Sequence, residues 1–275
     1  MEIAERFRQA WDKVLDGQSG LFSLDLQSMG GPVASRDADA SHYAASTIKL
    51  PVLMALLRDR PAHVPAALDS VVVHDRFPSA AGITFELKQS DDQDDQTWSR
   101  LGMEVDLLDL ADRMITVSSN IATDLIVEQI GFESVRRWLL DHGLEGQLQV
   151  ARLIGDAAAQ DAGVTNSVSA SGLATLMATI ATGADADSAT ALGMLARQTH
   201  RDMIPAGLPE GTWSASKGGW VTGAKHDVAL VRPPAAPPYV LAVCTTADLP
   251  DAAGMELVAR LSAVTWEQWS RRHAS

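Results

Sequence analysis

The sequence predicts an α+β fold: one antiparallel sheet built from strands at both termini and flanked by helices, with an all-helical lobe inserted between them. Two observations carry this. Short apolar, strand-like segments stand near the start at residues 21–26 and near the end at 213–218, 226–231 and 239–245, bounded by Gly and Pro clusters. Most of what lies between has apolar residues at helical spacing. The expected organisation is a single domain over residues 1–275 with two lobes. An α/β lobe takes about 1–50 and 205–275, and a helical lobe about 51–204.

The elements follow in order. Residues 1–16 alternate charges with Ile3, Phe7, Trp11 and Val14, the pattern of an amphipathic helix. A glycine break at 17–20 precedes the first strand, and Gly30-Gly31-Pro32 turns the chain into a second that runs to about Ser41. Residues 50–140 read as mostly helical, interrupted at 89–96 by a polar, acidic loop expected to be solvated. Residues 143–166 read as irregular, a long connection of the kind that carries function. Helices are expected at 169–182 and 188–199, and a closing helix at 252–271.

Composition narrows the function. A net charge of −13 offers nothing to neutralise a row of phosphates, so nucleic acid is excluded as a partner. Cys244 is the single cysteine, so no internal disulfide forms, and its apolar surroundings predict a buried thiol. No segment approaches the ~20 apolar residues that span a bilayer, and the N-terminus has no basic-then-apolar leader. The chain as written is expected to be cytoplasmic, or periplasmic or secreted if a leader has been removed. The histidines at 42, 63, 74, 142, 200, 226 and 273 show no pair at ligand spacing, so neither metal nor cofactor is expected.

Chemistry concentrates in Ala45-Ser46-Thr47-Ile48-Lys49. At the start of a helix of 3.6 residues per turn, Ser46 and Lys49 share a face, so the lysine can take the serine's proton. The helix N-terminus favours an oxyanion formed there. A second Ser-x-x-Lys, Ser214 to Lys217, lies in a predicted strand, where positions i and i+3 face opposite ways. Only the first can act as a pair.

Two further motifs follow: Ser118-Ser119-Asn120, and Lys217-Gly218-Gly219 on a strand that continues as Trp220-Val221-Thr222-Gly223-Ala224-Lys225-His226-Asp227. Taken alone, a Ser-x-Asn at a helix end is most often a cap and a lysine before glycines a solvated strand end. In this order they resemble the signature of class A β-lactamases and penicillin-binding proteins, the β-lactamase/transpeptidase-like serine hydrolases. Three of the five lysines fall inside the matching segments. The resemblance implies Ser46 as nucleophile, Lys49 as its base, and Ser118 as proton shuttle to the leaving nitrogen. It implies Asn120 as a contact to the substrate amide, and Lys217 beside Ser118 and the substrate carboxylate. The backbone N–H groups of Ser46 and Trp220, beside Gly219, would form the oxyanion hole. Lys225 would take the basic position of the adjoining strand, where many relatives have arginine. The implied partner is a small carboxylate-bearing amide or ester, a β-lactam among the candidates.

The departures from the pattern bear on the reaction. Ser119 replaces an aspartate and Gly218 a threonine. Class A enzymes carry Arg-x-Glu-x-x-Leu-Asn in the loop whose Glu and Asn hold the hydrolytic water. Here Arg152-Leu153-Ile154-Gly155-Asp156-Ala157-Ala158 places Ile154 and Ala158 there. Acylation of Ser46 is expected to survive this and breakdown of the acyl-enzyme to be slow toward β-lactams, unless Asp156 or Asp161 substitutes or the natural acyl group is a labile ester. The alternatives are an acyltransferase or transpeptidase, and a β-lactam- or peptide-binding protein with little turnover.

Overall fold

The computed structural model describes residues 3–60 and 69–273. In chain order, helix α1 (Ile3–Leu15) leads to strands β1 (Leu21–Ser28), β2 (Gly31–Arg36) and β3 (His42–Tyr43). A 3₁₀ turn (Ala45–Ile48) runs directly into α2 (Lys49–Asp59). Then come β4 (Ser70–Val72), β5 (Arg76–Pro78), β6 (Thr84–Glu86), α3 (Asp95–Trp98) and β7 (Glu104–Asp106). Helices α4 (Leu107–Thr116), α5 (Asn120–Ile130) and α6 (Phe132–Asp141) follow, then β8 (Leu148–Gln149), α7 (Ala157–Asp161) and β9 (Ser167–Val168). The chain closes with α8 (Ala170–Thr182), α9 (Ala186–Ala196), β10 (Trp213–Val221), β11 (Ala224–Arg232), β12 (Tyr239–Thr246) and α10 (Asp251–His273).

The chain divides into two compact units, residues 1–47 with 167–275, and residues 48–166. The first holds a five-stranded sheet in the order β10-β11-β12-β1-β2, antiparallel throughout. Strands from both termini therefore share one sheet, as the sequence predicts. Strands β1, β11 and β12 are buried on both faces, because each face is covered by helix. Tyr239, Leu241 and Val243 of β12 join Phe7 and Trp11 of α1 and Leu257, Leu261 and Trp269 of α10 in one core. The alternate residues Val240, Ala242 and Cys244 are equally buried, and α8 packs across β1, β11 and β12. Burial pushes the Cys244 thiol pKa up, which keeps it an inert apolar group. Two buried indoles find polar partners: Trp11 Nε1 donates to Thr265 Oγ1 (2.8 Å) and Trp269 Nε1 to Pro237 O (2.9 Å).

The second unit is built on α2, α4, α5 and α6, whose facing residues are apolar. Two sequence readings are corrected. Residues 70–86 and 104–106 are not helical but form two small ribbons, β4 with β7 and β5 with β6. Strands of three residues are too short for alternation to show against a helical reading. The boundary near residue 204 moves to 167, because α8 and α9 pack with the sheet. The sequence reading for residues 61–68, His63 among them, lies outside the described residues. Among these, no helix is long and apolar enough to cross a membrane.

Candidate active site

In the first unit, the half-buried Ser46 lies in the 3₁₀ turn, not in the first turn of α2 itself. The turn is closed by Thr47, whose N–H (3.2 Å) and Oγ1 (2.6 Å) both donate to Ala44 O. Ala45, just before the serine, has φ 46°, a left-handed backbone that costs a non-glycine residue about 1–3 kcal/mol. Strand β10 passes close by. A Cβ built on Gly219 would lie 2.7 Å from Ser46 N and 2.9 Å from Thr47 N. Only glycine lets the strand approach the amide of the proposed nucleophile this closely.

Register decides which residues accompany Gly219. Lys217 pairs with Val228 and Gly219 with His226, while Gly218 pairs with Asp227 and Trp220 with Lys225. Paired residues share a face. Lys217 and Gly219 are thus on one face, and Lys225 is on the other. Lys217 is fully buried and its Nζ donates to Gly218 O (2.7 Å). The Lys225 ammonium is spent elsewhere: it donates to Val221 O (2.6 Å) and Ala224 O (3.3 Å) and pairs with Asp251 (2.9 Å) at the start of α10. Its stem fills the space a side chain at Gly254 would need. The expectation that Lys225 serves as the basic residue of the adjoining strand is therefore corrected: its ammonium is committed on the face opposite Lys217.

Gly218, where the family pattern has threonine, also has a reason. A Cβ there would come within 2.6 Å of Met203 Cε. On the same face, the buried Asp227 accepts the Ile204 N–H through Oδ2 (2.9 Å), and burial raises its pKa to about 7. Such a group is neutral in the fold while already ionised in the unfolded chain, so its contribution to stability declines as pH rises from about 4 to about 7. Asp227→Asn is expected to raise the melting temperature more at pH 8 than at pH 4; an equal shift at both would refute this. His226 is held neutral by burial, its pKa lowered to about 4, and its Nε2–H donates to Tyr43 O (2.7 Å). It braces the approach to Ser46 structurally, in keeping with its reading as a sheet residue.

In the second unit, Lys49 opens α2 and is fully buried. Its Nζ donates to Ser118 O (2.6 Å), Ser118 Oγ (3.1 Å) and Asn120 Oδ1 (2.8 Å). The first two motifs thus meet at one ammonium. Ser118 presents both oxygens because it adopts φ 63° between α4 and α5. Burial lowers the Lys49 pKa to about 7, against the pull of Asp92, Asp124 and Asp94. A neutral amine is accordingly available near neutral pH.

The acidic loop is mostly exposed, as expected, but its Asp92 and Asp94 are part of this scaffold. Asp92 accepts the N–H groups of Asn120 and Ile121 (2.8 Å each), placing a carboxylate on the positive end of α5. Asp91 O accepts from Asn120 Nδ2 (2.7 Å), so both ends of that amide are held. Asp94 is buried, with Arg113 and Thr97 bonding its carboxylate and Ser119 a further partner. Ser119 itself caps α5 through Ala122 N–H (3.2 Å). Ser119, which stands where the second motif has aspartate, thus has a loop aspartate as its partner.

The loop 152–158 bears Ile154 and Ala158 as read. Asn166 ties its base by accepting the N–H groups of Ala151 and Arg152. Asp156 caps α7 and accepts from Ser79 Oγ (2.7 Å), Ala80 N–H and Ala159 N–H. Although burial acts to raise its pKa, these bonds hold it below the usual carboxylate range. A carboxylate so occupied and so weakly basic is poorly suited to act as a general base. Asp161 is exposed at the end of α7.

A sheet assembled from both termini, helices on its faces and the three motifs at these positions define the β-lactamase/transpeptidase-like fold, a fold of serine hydrolases. The chain belongs to the beta-lactamase enzyme family, whose model matches residues 2–269. Among solved structures it is similar to PBP-A, at 22% identity and TM-score 0.77 over 98% of both chains. It is also similar to a β-lactamase from Burkholderia phymatum, at 17% identity and TM-score 0.81 over 97% of this chain and 99% of that one. The class A β-lactamase from Mycobacterium abscessus gives 20% and 0.78 over 95% and 98%. At such identities the likeness speaks for the fold. No curated protein sequence matches the chain.

Proposed function

We propose that the protein is a serine hydrolase that forms an acyl-enzyme on Ser46 with a small carboxylate-bearing amide or ester, and releases β-lactam-derived acyl groups slowly. The observation that carries this is the buried Lys49, with a pKa of about 7 and its Nζ on Ser118 Oγ and Asn120 Oδ1. Neutral Lys49 takes the Ser46 proton as Oγ attacks the carbonyl, the C–N or C–O bond breaks, and Ser118 passes the proton to the leaving atom. The close passage of Gly219 over the Ser46 amide supports an oxyanion hole built from the backbone of Ser46 and Trp220. Lys217 is the cation proposed for the carboxylate.

Slow release follows from the loop. General-base catalysis typically contributes about 10²–10⁴-fold, and Ile154 supplies none of it. The same feature favours a second reading, transfer of the acyl group to an amine. A variant of PBP-A has been solved as its acyl-enzyme with penicillin G, which makes that compound a suitable reagent. Intact-mass spectra during incubation with penicillin G are expected to show one whole penicillin added at Ser46 and persisting after excess reagent is removed. An unmodified mass, or an adduct lost at the rate of its formation, would overturn the proposal.

A further inference from the structure

Asp124 lies within α5, fully buried, one helical turn beyond Asn120. Residues four apart on a helix share a face, so Asp124 follows the residue whose Oδ1 holds the Lys49 Nζ. Its Oδ1 accepts the Ile154 N–H (2.8 Å), on the loop that lacks the family's glutamate. Its Oδ2 is buried without a hydrogen-bond partner among the described residues. A buried carboxyl oxygen left this way is costly, and such exceptions call for an explanation. The charged groups acting on it come from three elements. Lys49 of α2 and Arg152 of the loop favour its ionised form, and Asp92, ahead of α3, opposes it.

We propose that Asp124 is a positioning residue that sets the protonation of Lys49, the two forming one buried acid–base couple. This rests on the reading of Lys49 as the base for Ser46. Both groups are desolvated, so the couple is at low cost only with zero net charge, either as ammonium and carboxylate or as amine and carboxylic acid. The second arrangement is the one in which Lys49 accepts the Ser46 proton. Burial raises the Asp124 pKa well above that of an ordinary carboxylate and lowers that of Lys49, so both shifts favour the neutral form. The carboxylate absent at position 154 is thus not absent from the site's proton balance. It stands on α5, one turn beyond the Asn120 whose Oδ1 holds the Lys49 Nζ.

The test is Asp124→Asn, whose amide oxygen still accepts the Ile154 N–H while the anion is gone. With no anion to hold a proton on Lys49, the acid limb of Ser46 acylation by penicillin G is expected to shift down by about one pH unit. The rate relative to plateau then rises between the two midpoints, where Asp124 is ionised in the wild type, and converges below them. A role limited to anchoring the loop would change the plateau and leave the midpoint, so an unmoved or raised midpoint overturns the proposal. A second readout needs no Asp124 variant. With five lysines in the chain, the ε-carbon signal of Lys49 can be followed by NMR, assigned by its loss in Lys49→Arg. A two-step titration in the wild type is expected, and a single step would overturn the coupling. The titration also separates the two readings. Absence of any Ser46 adduct sinks the acyl-enzyme, while the NMR curve still decides whether Asp124 and Lys49 share protons.

Discussion

Ser46→Ala is expected to abolish acylation: no mass increase with penicillin G, and no burst with a chromogenic ester. The loss should reach background, since it removes the atom that forms the bond. Lys49 cannot replace it as a nucleophile, because its nitrogen is buried against Ser118 and Asn120. Ser46 is half-buried in a turn whose closing hydrogen bonds come from Thr47, so the variant should fold with a stability change of about 0.5 kcal/mol or less. Loss of signal would then be chemical and not structural. An ester burst that survives the substitution would mean that the hydrolysis belongs to another group, and the assignment of Ser46 would fall.

The sheet was legible because its strands are long enough for turn signals and apolar runs to bound them. The nucleophile segment and Ser118-Ser119-Asn120 were legible as a motif, but the positive φ of Ala45 and Ser118 left no trace in residue type. Asp92 and Asp94 were misread for a physical reason. Their loop has the composition of a solvated one, and what orders it lies elsewhere in the chain: the N–H groups opening α5 and the Arg113 guanidinium. Lys225 was assigned by resemblance alone, although the hairpin carries the correction. Val221 pairs with Ala224 across Thr222-Gly223, and that register puts 217 and 225 on opposite faces. Asp124 gave no signal at all, being one of two acidic residues, with Glu128, on a largely apolar helix. Its significance appears only when the Ile154 amide and the Lys49 ammonium are placed around it.

Gly219→Ala is expected to slow acylation by about 10²–10³-fold, the cost typical of losing one oxyanion donor. The new methyl would lie 2.7 Å from Ser46 N, 2.9 Å from Thr47 N and 3.2 Å from Ala45 Cβ, and two of these three atoms are backbone. Nothing there can rotate away, so β10 must retreat from the turn or the turn must shift. Either movement displaces the amides proposed to hold the oxyanion. Its neighbour provides the control. A methyl at Gly218 would meet Met203 Cε at 2.6 Å, which is closer in distance but involves the end of a flexible side chain on the other face of the strand. Gly218→Ala should therefore cost far less in rate, Met203 changing rotamer to admit the methyl. Rates of adduct formation measured side by side distinguish the cases. Similar losses in the two variants would show that general weakening of β10, and not the approach to the Ser46 amide, limits the reaction.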